Sequence, residues 1–201
     1  MRKFSQKKNF TKRDFKLTES KLYYKITKFG DSNEVDVAYE SINGDKVSST
    51  SSNGFLLGVS IVLYIVGIMT HINSYSYGEN RDPYLGLFWV ILASILMIIY
   101  YFSRNNFWKL KLSNGKYVYF HKTIPNAKET DKFIESLIES RNQYLKENYA
   151  VIDENLGYEG QLNNLRWLKS LDVLSKDEFN QKYDHLKQTV KPDKSDIGFS
   201  K

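Results

Sequence analysis

The chain has 201 residues, with 29 Lys and Arg against 23 Asp and Glu, a net charge of +6 and no cysteine. Without cysteine the fold cannot lean on disulfides or thiolate metal sites, and three scattered histidines (His71, His121, His185) offer no metal-ligand spacing. Mean hydropathy is negative, at −0.48, yet this average hides two long uncharged runs in the middle of the chain.

The first sixteen residues are basic but lack the apolar core of a cleavable signal peptide, so none is expected. Residues 1–13 read as a disordered arm. Its basic residues Arg2, Lys3, Lys7, Lys8, Lys12 and Arg13, with Lys16 beyond them, interleave with Phe4, Phe10 and Phe15. Together with Arg104 they are candidate contacts to anionic lipid, at about 1 kcal/mol per charge near a surface. The competing reading is a bias of positive charge toward the cytoplasmic side. Nucleic acid is not expected as a partner, because no recognition fold accompanies the charge.

Residues 14–52 are expected to form the first half of a β domain. Residues 21–29 alternate Leu22, Tyr24 and Ile26 with Tyr23, Lys25 and Thr27, and 14–18 is a candidate for one further strand. Residues 30–33 supply turn chemistry. Residues 34–42 alternate again, and Asn43-Gly44 is a two-residue hairpin signal leading into a strand over 45–50. The Ser-rich stretch 48–53 predicts a mobile link.

Residues 54–72 and 84–103 hold no Asp, Glu, Lys or Arg, and each has about the length that spans hydrocarbon, roughly 20 residues. Ten Leu, Ile, Val and Phe residues between Phe55 and Ile68 contribute roughly −3 to −6 kcal/mol toward insertion. Spans are therefore predicted over 53–72 and 83–103, joined by a short external loop over 73–82. Eleven Lys and Arg precede the first span, while the loop holds only Arg81 against Glu79 and Asp82. The positive-inside rule then places both termini on the cytoplasmic side. Tyr75, Tyr77 and Tyr84 mark the outer interface, and Tyr100, Tyr101 and Phe102 the inner one. Pro83 suits the start of the second span. Gly54 and Gly58 have the small-residue spacing of a helix contact, with Ala93 and Ser94 as the facing patch. His71 with Glu79 and Asp82 is a candidate external polar site.

Residues 104–149 resume the alternating pattern. Residues 106–112 and 116–122 are predicted strands joined by Ser113-Asn114-Gly115. Asn126 with Glu129 three residues on predicts a capped helix running to about Asn148, with Phe133, Ile134, Leu137, Ile138, Tyr144 and Leu145 on one face. Neither flank alone buries enough to be stable. Joined, they give five or six strands and one covering helix.

This order, with VDVAYESI over 35–42 and YVYFHKTIPNAKETDKFIESL over 117–137, resembles bacterial pleckstrin-homology-like (PH-like) membrane proteins. The resemblance implies an α+β membrane protein. Its small antiparallel β-barrel or sheet, capped by a helix, is interrupted by a two-helix transmembrane hairpin.

After a linker over 150–160, the stretch LRWLKSLDVLSKDEFNQKYDHL over 165–186 resembles the SHOCT helical module, and a helical hairpin is expected over 161–190. Ser175 and Glu178 form an S-x-x-E capping box. The resemblance implies association, with Leu165, Leu168, Leu171, Phe179, Tyr183 and Leu186 as the candidate surface. Residues 191–201 read as a polar disordered tail.

No catalytic signature is present, and no cofactor or metal site is predicted. The expected function is non-enzymatic, a platform for protein binding or homo-oligomeric assembly at a membrane. The alternatives are an accessory subunit of a membrane enzyme or transporter, and a lipid-acting enzyme using Arg104, Asn105, Asn106 and His121.

Overall fold

A computed structural model describes residues 2–76 and 84–190. The chain divides into two compact units, Met1–Val47 with Trp108–Lys201, and Ser48–Phe107. The element order is β1 (Lys3–Lys8), β2 (Thr11–Leu17), β3 (Lys21–Lys28), β4 (Asp31–Ala38), a 3-10 turn (Tyr39–Ser41), β5 (Ile42–Ser51), α1 (Gly54–Ser76), α2 (Tyr84–Ser103), β6 (Asn105–Leu112), β7 (Tyr117–His121), α3 (Ala127–Tyr149), α4 (Tyr158–Ser170) and α5 (Lys176–Thr189). It is an α+β protein with two antiparallel sheets and two long apolar helices.

The first sheet has the order β1-β2-β3-β4, and the second β5-β6-β7. Strands from before and after the two apolar helices are thus neighbours in one sheet. The sheets do not close into a barrel. In the first sheet the register pairs Phe4 with Phe15, Phe15 with Tyr24, and Tyr24 with Val35. Side chains of alternate residues share a face. Phe15, Leu17, Leu22, Tyr24 and Val37 therefore point inward, where they meet Leu110, Val118 and Phe120 of the second sheet and Phe133, Ile134 and Leu137 of α3. The ring of Phe15 stacks on Tyr24 at 4.9 Å and on Phe120 at 4.5 Å.

Four expectations are corrected here. Residues 3–8 and 11–17 are paired strands, where a disordered arm was expected over 1–13. Lysines occupy the outward positions, so the inward set of Phe4, Gln6, Phe15 and Leu17 was hidden inside what reads as a charge run. Asn43-Gly44 is no hairpin turn. It lies within β5, where Gly44 lacks the left-handed backbone such a turn requires. The chain instead bends at the 3-10 turn, where Tyr39 is fully buried and its hydroxyl donates to Thr18 O at 2.8 Å. Ser48–Ser51 continue β5 and are no free link. Among the described residues seven strands stand where six at most were expected.

α3 starts as expected: Asn126 Oδ1 accepts from Glu129 N at 2.9 Å, and Asn126 Nδ2 donates to Glu129 Oε1 at 2.8 Å. Its C-terminal end belongs to a second core, in which Leu145 and Ala150 pack with Tyr158, Leu162, Leu165, Leu168, Val173, Leu174 and Leu186. Gln161, in α4 just past the expected linker 150–160, is buried and fastens that segment. Its Oε1 accepts from Asp153 N at 2.8 Å and its Nε2 donates to Asp153 O at 2.9 Å.

In the second unit, α1 and α2 pack on each other. They touch at Gly67 and Gly86, where a Cβ on Gly86 would stand 2.7 Å from His71 N and 2.8 Å from Gly67 O. Gly54 and Gly58 have open space around them, so the expected contact lies elsewhere along α1. On α2, Ala93 is buried and Ser94 Oγ lies 2.8 Å from Tyr64 Oη. Helix α1 runs on to Ser76, beyond the expected span. Tyr77, Glu79, Arg81 and Asp82 of the expected loop lie outside the described residues, as do Pro83 at the expected start of the second span and the tail 191–201.

Candidate functional site

The eight basic residues singled out from the sequence separate into distinct groups. Lys3 and Lys7 of β1 and Lys12 and Lys16 of β2 share the outward face, by the register Lys3 to Lys16 and Lys7 to Lys12. Lys12 pairs with Asp14 at 2.9 Å. Farther across this face the charges neutralise each other, with Lys25 on Glu34 at 2.5 Å and Lys21 on Asp36. A groove of about 380 Å³ lies beside Lys3 and Lys16, with Asp14, Tyr23 and the rings of Phe4 and Phe15 also in its lining. Arg2 donates to Ser136 Oγ of α3. Arg104 is exposed between α2 and β6, in the other unit.

Arg13 sits on the inward face, beside a buried polar cluster. Gln6 is its centre: Nε2 donates to His121 O at 2.8 Å, to Ile124 O and to Thr130 Oγ1 at 3.3 Å, while Oε1 accepts from His121 N at 2.8 Å. Arg13 Nη1 lies 2.8 Å from His121 Nε2. A guanidinium only donates, so Nε2 accepts and the ring proton belongs on Nδ1. Burial, together with the positive charges of Arg13 and Lys8, pushes the His121 imidazole down to about 4. Burial also lowers Lys8. A neutral imidazole already engaged by an arginine is a structural acceptor, a poor general base near neutral pH.

A second buried cation lies on α3. Arg141 is fully buried. Its Nη1 donates to Asn142 Oδ1 at 2.7 Å and to Leu171 O at 3.4 Å, whereas Nε and Nη2 have no hydrogen-bond partner. It lines a cavity of about 200 Å³ with Asn43, Gly44, Asp45 and Asp172. Burial lowers its affinity for the proton, and Asp172 and Asp45 oppose that shift. Two carboxylates beside one guanidinium disfavour an anionic ligand. The arrangement suits an electrostatic latch between β5, α3 and the α4–α5 turn. The sequence signal was there, because Arg141 falls four residues after Leu137 and four before Leu145 on the buried stripe of α3.

The six candidate association residues divide evenly between the core and the surface. Leu165, Leu168 and Leu186 are buried in the second core. Their spacing along two short helices is that of residues facing each other and α3. Leu171, Phe179 and Tyr183 remain partly exposed. The rings of Phe179 and Tyr183 stack at 5.9 Å, and Lys169 and Lys187 lie over them at 4.4 and 4.0 Å. The capping box is formed, and Glu178 also meets Lys146 at 2.6 Å. That lysine, with the Ser175 backbone N–H, draws the Glu178 carboxyl down to about 2. Glu40 accepts from both Tyr144 and Tyr149 at 3.0 Å, tying the 3-10 turn to α3. The Glu40 bond is the main cause raising Tyr144, while burial leads for Tyr149.

Among the described residues no group of three or more His, Asp and Glu side chains could hold a metal. No family model, no curated protein and no solved structure matches the chain. Its class therefore rests on its own geometry: an α+β body assembled from two separated sequence segments, with a pair of long apolar helices between them.

Proposed function

We propose that this chain is a non-enzymatic, membrane-anchored platform for protein binding or self-assembly. In this reading α1 and α2 cross a bacterial inner membrane as an antiparallel hairpin, with both termini in the cytoplasm. The observation that carries the reading is the exposure of the two helices. Their most apolar windows are only 11% buried inside the protein. A core helix of a soluble protein is largely covered. Here Phe55, Ile65, Ile72, Phe88 and Ile98 all face outward. Each large apolar side chain removed from water gains roughly 1.5–3 kcal/mol, and hydrocarbon is the environment that removes a whole ring of them at once. Neither helix carries an Asp, Glu, Lys or Arg.

Seven strands in a four-plus-three arrangement followed by α3 support the PH-like resemblance. The capped α4–α5 pair supports the SHOCT-like one. The absence of cysteine makes topology directly testable. Single Ser5→Cys and Lys176→Cys chains should resist a membrane-impermeant maleimide in intact cells and react after lysis. Glu79→Cys should react in intact cells. Release of the chain by alkaline carbonate overturns the anchor, and labelling of either cytoplasmic site in intact cells overturns the orientation. Cross-linking in native membranes should trap a higher-mass species; a chain that stays at monomer mass retains the anchor and loses the platform.

A further inference from the structure

The tips of the β1–β2 and β3–β4 hairpins carry an aromatic pair that neither core uses. Phe10 lies in the β1–β2 turn and Phe29 in the β3–β4 turn. Their rings stack with centroids 5.1 Å apart, and each residue is 72% exposed. The backbone holds them together, since Phe29 N donates to Phe10 O at 3.4 Å. It does so in a strained form: Asn9 and Phe29 both have φ of 52°. Asn tolerates that conformation, but for a ring-bearing residue it is an outlier. A turn that needs left-handed backbone is easiest with glycine, so displaying a phenylalanine there works against local preference.

The surroundings name a partner. Residues 7–12 and 27–32 hold four lysines (Lys7, Lys8, Lys12, Lys28) and one acid, Asp31. The register sets Lys7 beside Lys12, and Thr11 beside both Lys8 and Lys28, so the lysines collar the two tips. Exposed aromatic rings within a ring of lysines match the boundary of an anionic bilayer, where rings enter the headgroup zone and ammonium groups meet phosphates.

We propose that Phe10 and Phe29 form an interfacial wedge that inserts into the anionic headgroup layer of the membrane that α1 and α2 cross. The proposal rests on the membrane reading above. Tethering by that hairpin keeps the tips at high effective concentration near the lipid, so a small wedge suffices.

The test uses the full chain in nanodiscs of phosphatidylcholine with or without phosphatidylglycerol. A polarity-sensitive fluorophore is placed on Phe10→Cys, on Ile61→Cys within α1, or on Asn155→Cys at a distant exposed site. Nitroxide-bearing lipid is the quencher. In anionic discs the label at 10 should shift to the blue and be quenched at least about twofold more than the label at 155. Adding Phe29→Gly, or Lys7, Lys12 and Lys28 all changed to Gln, should abolish that difference. A label at 61 quenched beside a label at 10 that stays wet in every disc overturns the wedge and leaves the membrane reading standing. A label at 61 that escapes quenching overturns both. Shielding of the label at 10 in lipid-free detergent assigns the pair to a protein surface and overturns the wedge as well.

Discussion

His121 places a pH dependence on a single side chain. In the unfolded chain its imidazole titrates near 6.5, and in the folded chain near 4, because burial and the charges of Arg13 and Lys8 oppose protonation. Below about pH 6.5 the unfolded state takes up a proton that the folded state refuses. Stability from this group is therefore complete above that pH, falls as pH drops toward 4, and levels off below it. The span corresponds to roughly 3 kcal/mol. His121→Gln keeps an acceptor for Arg13 and removes the titration. Urea midpoints in detergent should fall between pH 6.5 and 4 more steeply for the parent than for the variant; parallel curves would refute the assignment. None of this was legible beforehand. The sequence places His121 in a strand, but its partners Gln6 and Arg13 lie more than a hundred residues away.

At the scale of elements, the closest approach of α1 and α2 is set by glycine. A side chain at Gly86 would collide with backbone, namely His71 N and Gly67 O, which cannot swing aside. Gly86→Leu should cost at least about 1–3 kcal/mol in detergent unfolding, as an overpacked contact does. Gly58→Leu should cost nothing measurable, because nothing lies within 4 Å of that site. Equal effects at both sites would show that the helices do not meet there. The two long apolar helices themselves were plain in the sequence, since length and lack of charge suffice to reveal them. Their crossing point was not, because two helices of this composition carry several small residues, and only the interhelical angle selects among them. The same contrast holds for the strands. Those over 21–28, 106–112 and 117–121 alternate apolar and polar residues openly. β1 and β2 keep the same period with lysine outside and Gln6 or Arg13 inside, so their alternation is of direction and not of polarity. Asn43-Gly44 misled for the opposite reason. A strong local turn signal was overridden by Tyr39, whose burial puts the bend a few residues earlier.

At the scale of the molecule, the body is one folding unit written in two pieces. Its core mixes Phe15, Leu22 and Val37 from before the apolar helices with Leu110, Phe120 and Phe133 from after them. Neither piece encloses that core alone, and the loop-closure cost of bringing them together rises only slowly with the length between them. The apolar helices therefore act as a long insertion between β5 and β6, which are adjacent strands of an antiparallel sheet. Adjacent antiparallel strands can be joined by a turn of two to five residues. Replacing 54–103 with a short Gly-Asn-Gly-type turn should then leave a water-soluble monomer that keeps both cores and unfolds in one cooperative transition. Residues 1–53 and 104–190 expressed separately should each remain unfolded, and should regain strand signal by circular dichroism only when mixed. A joined chain that aggregates or melts without cooperativity would mean that the helices hold the body together. Either half folding by itself would mean that the shared core is not what stabilises it.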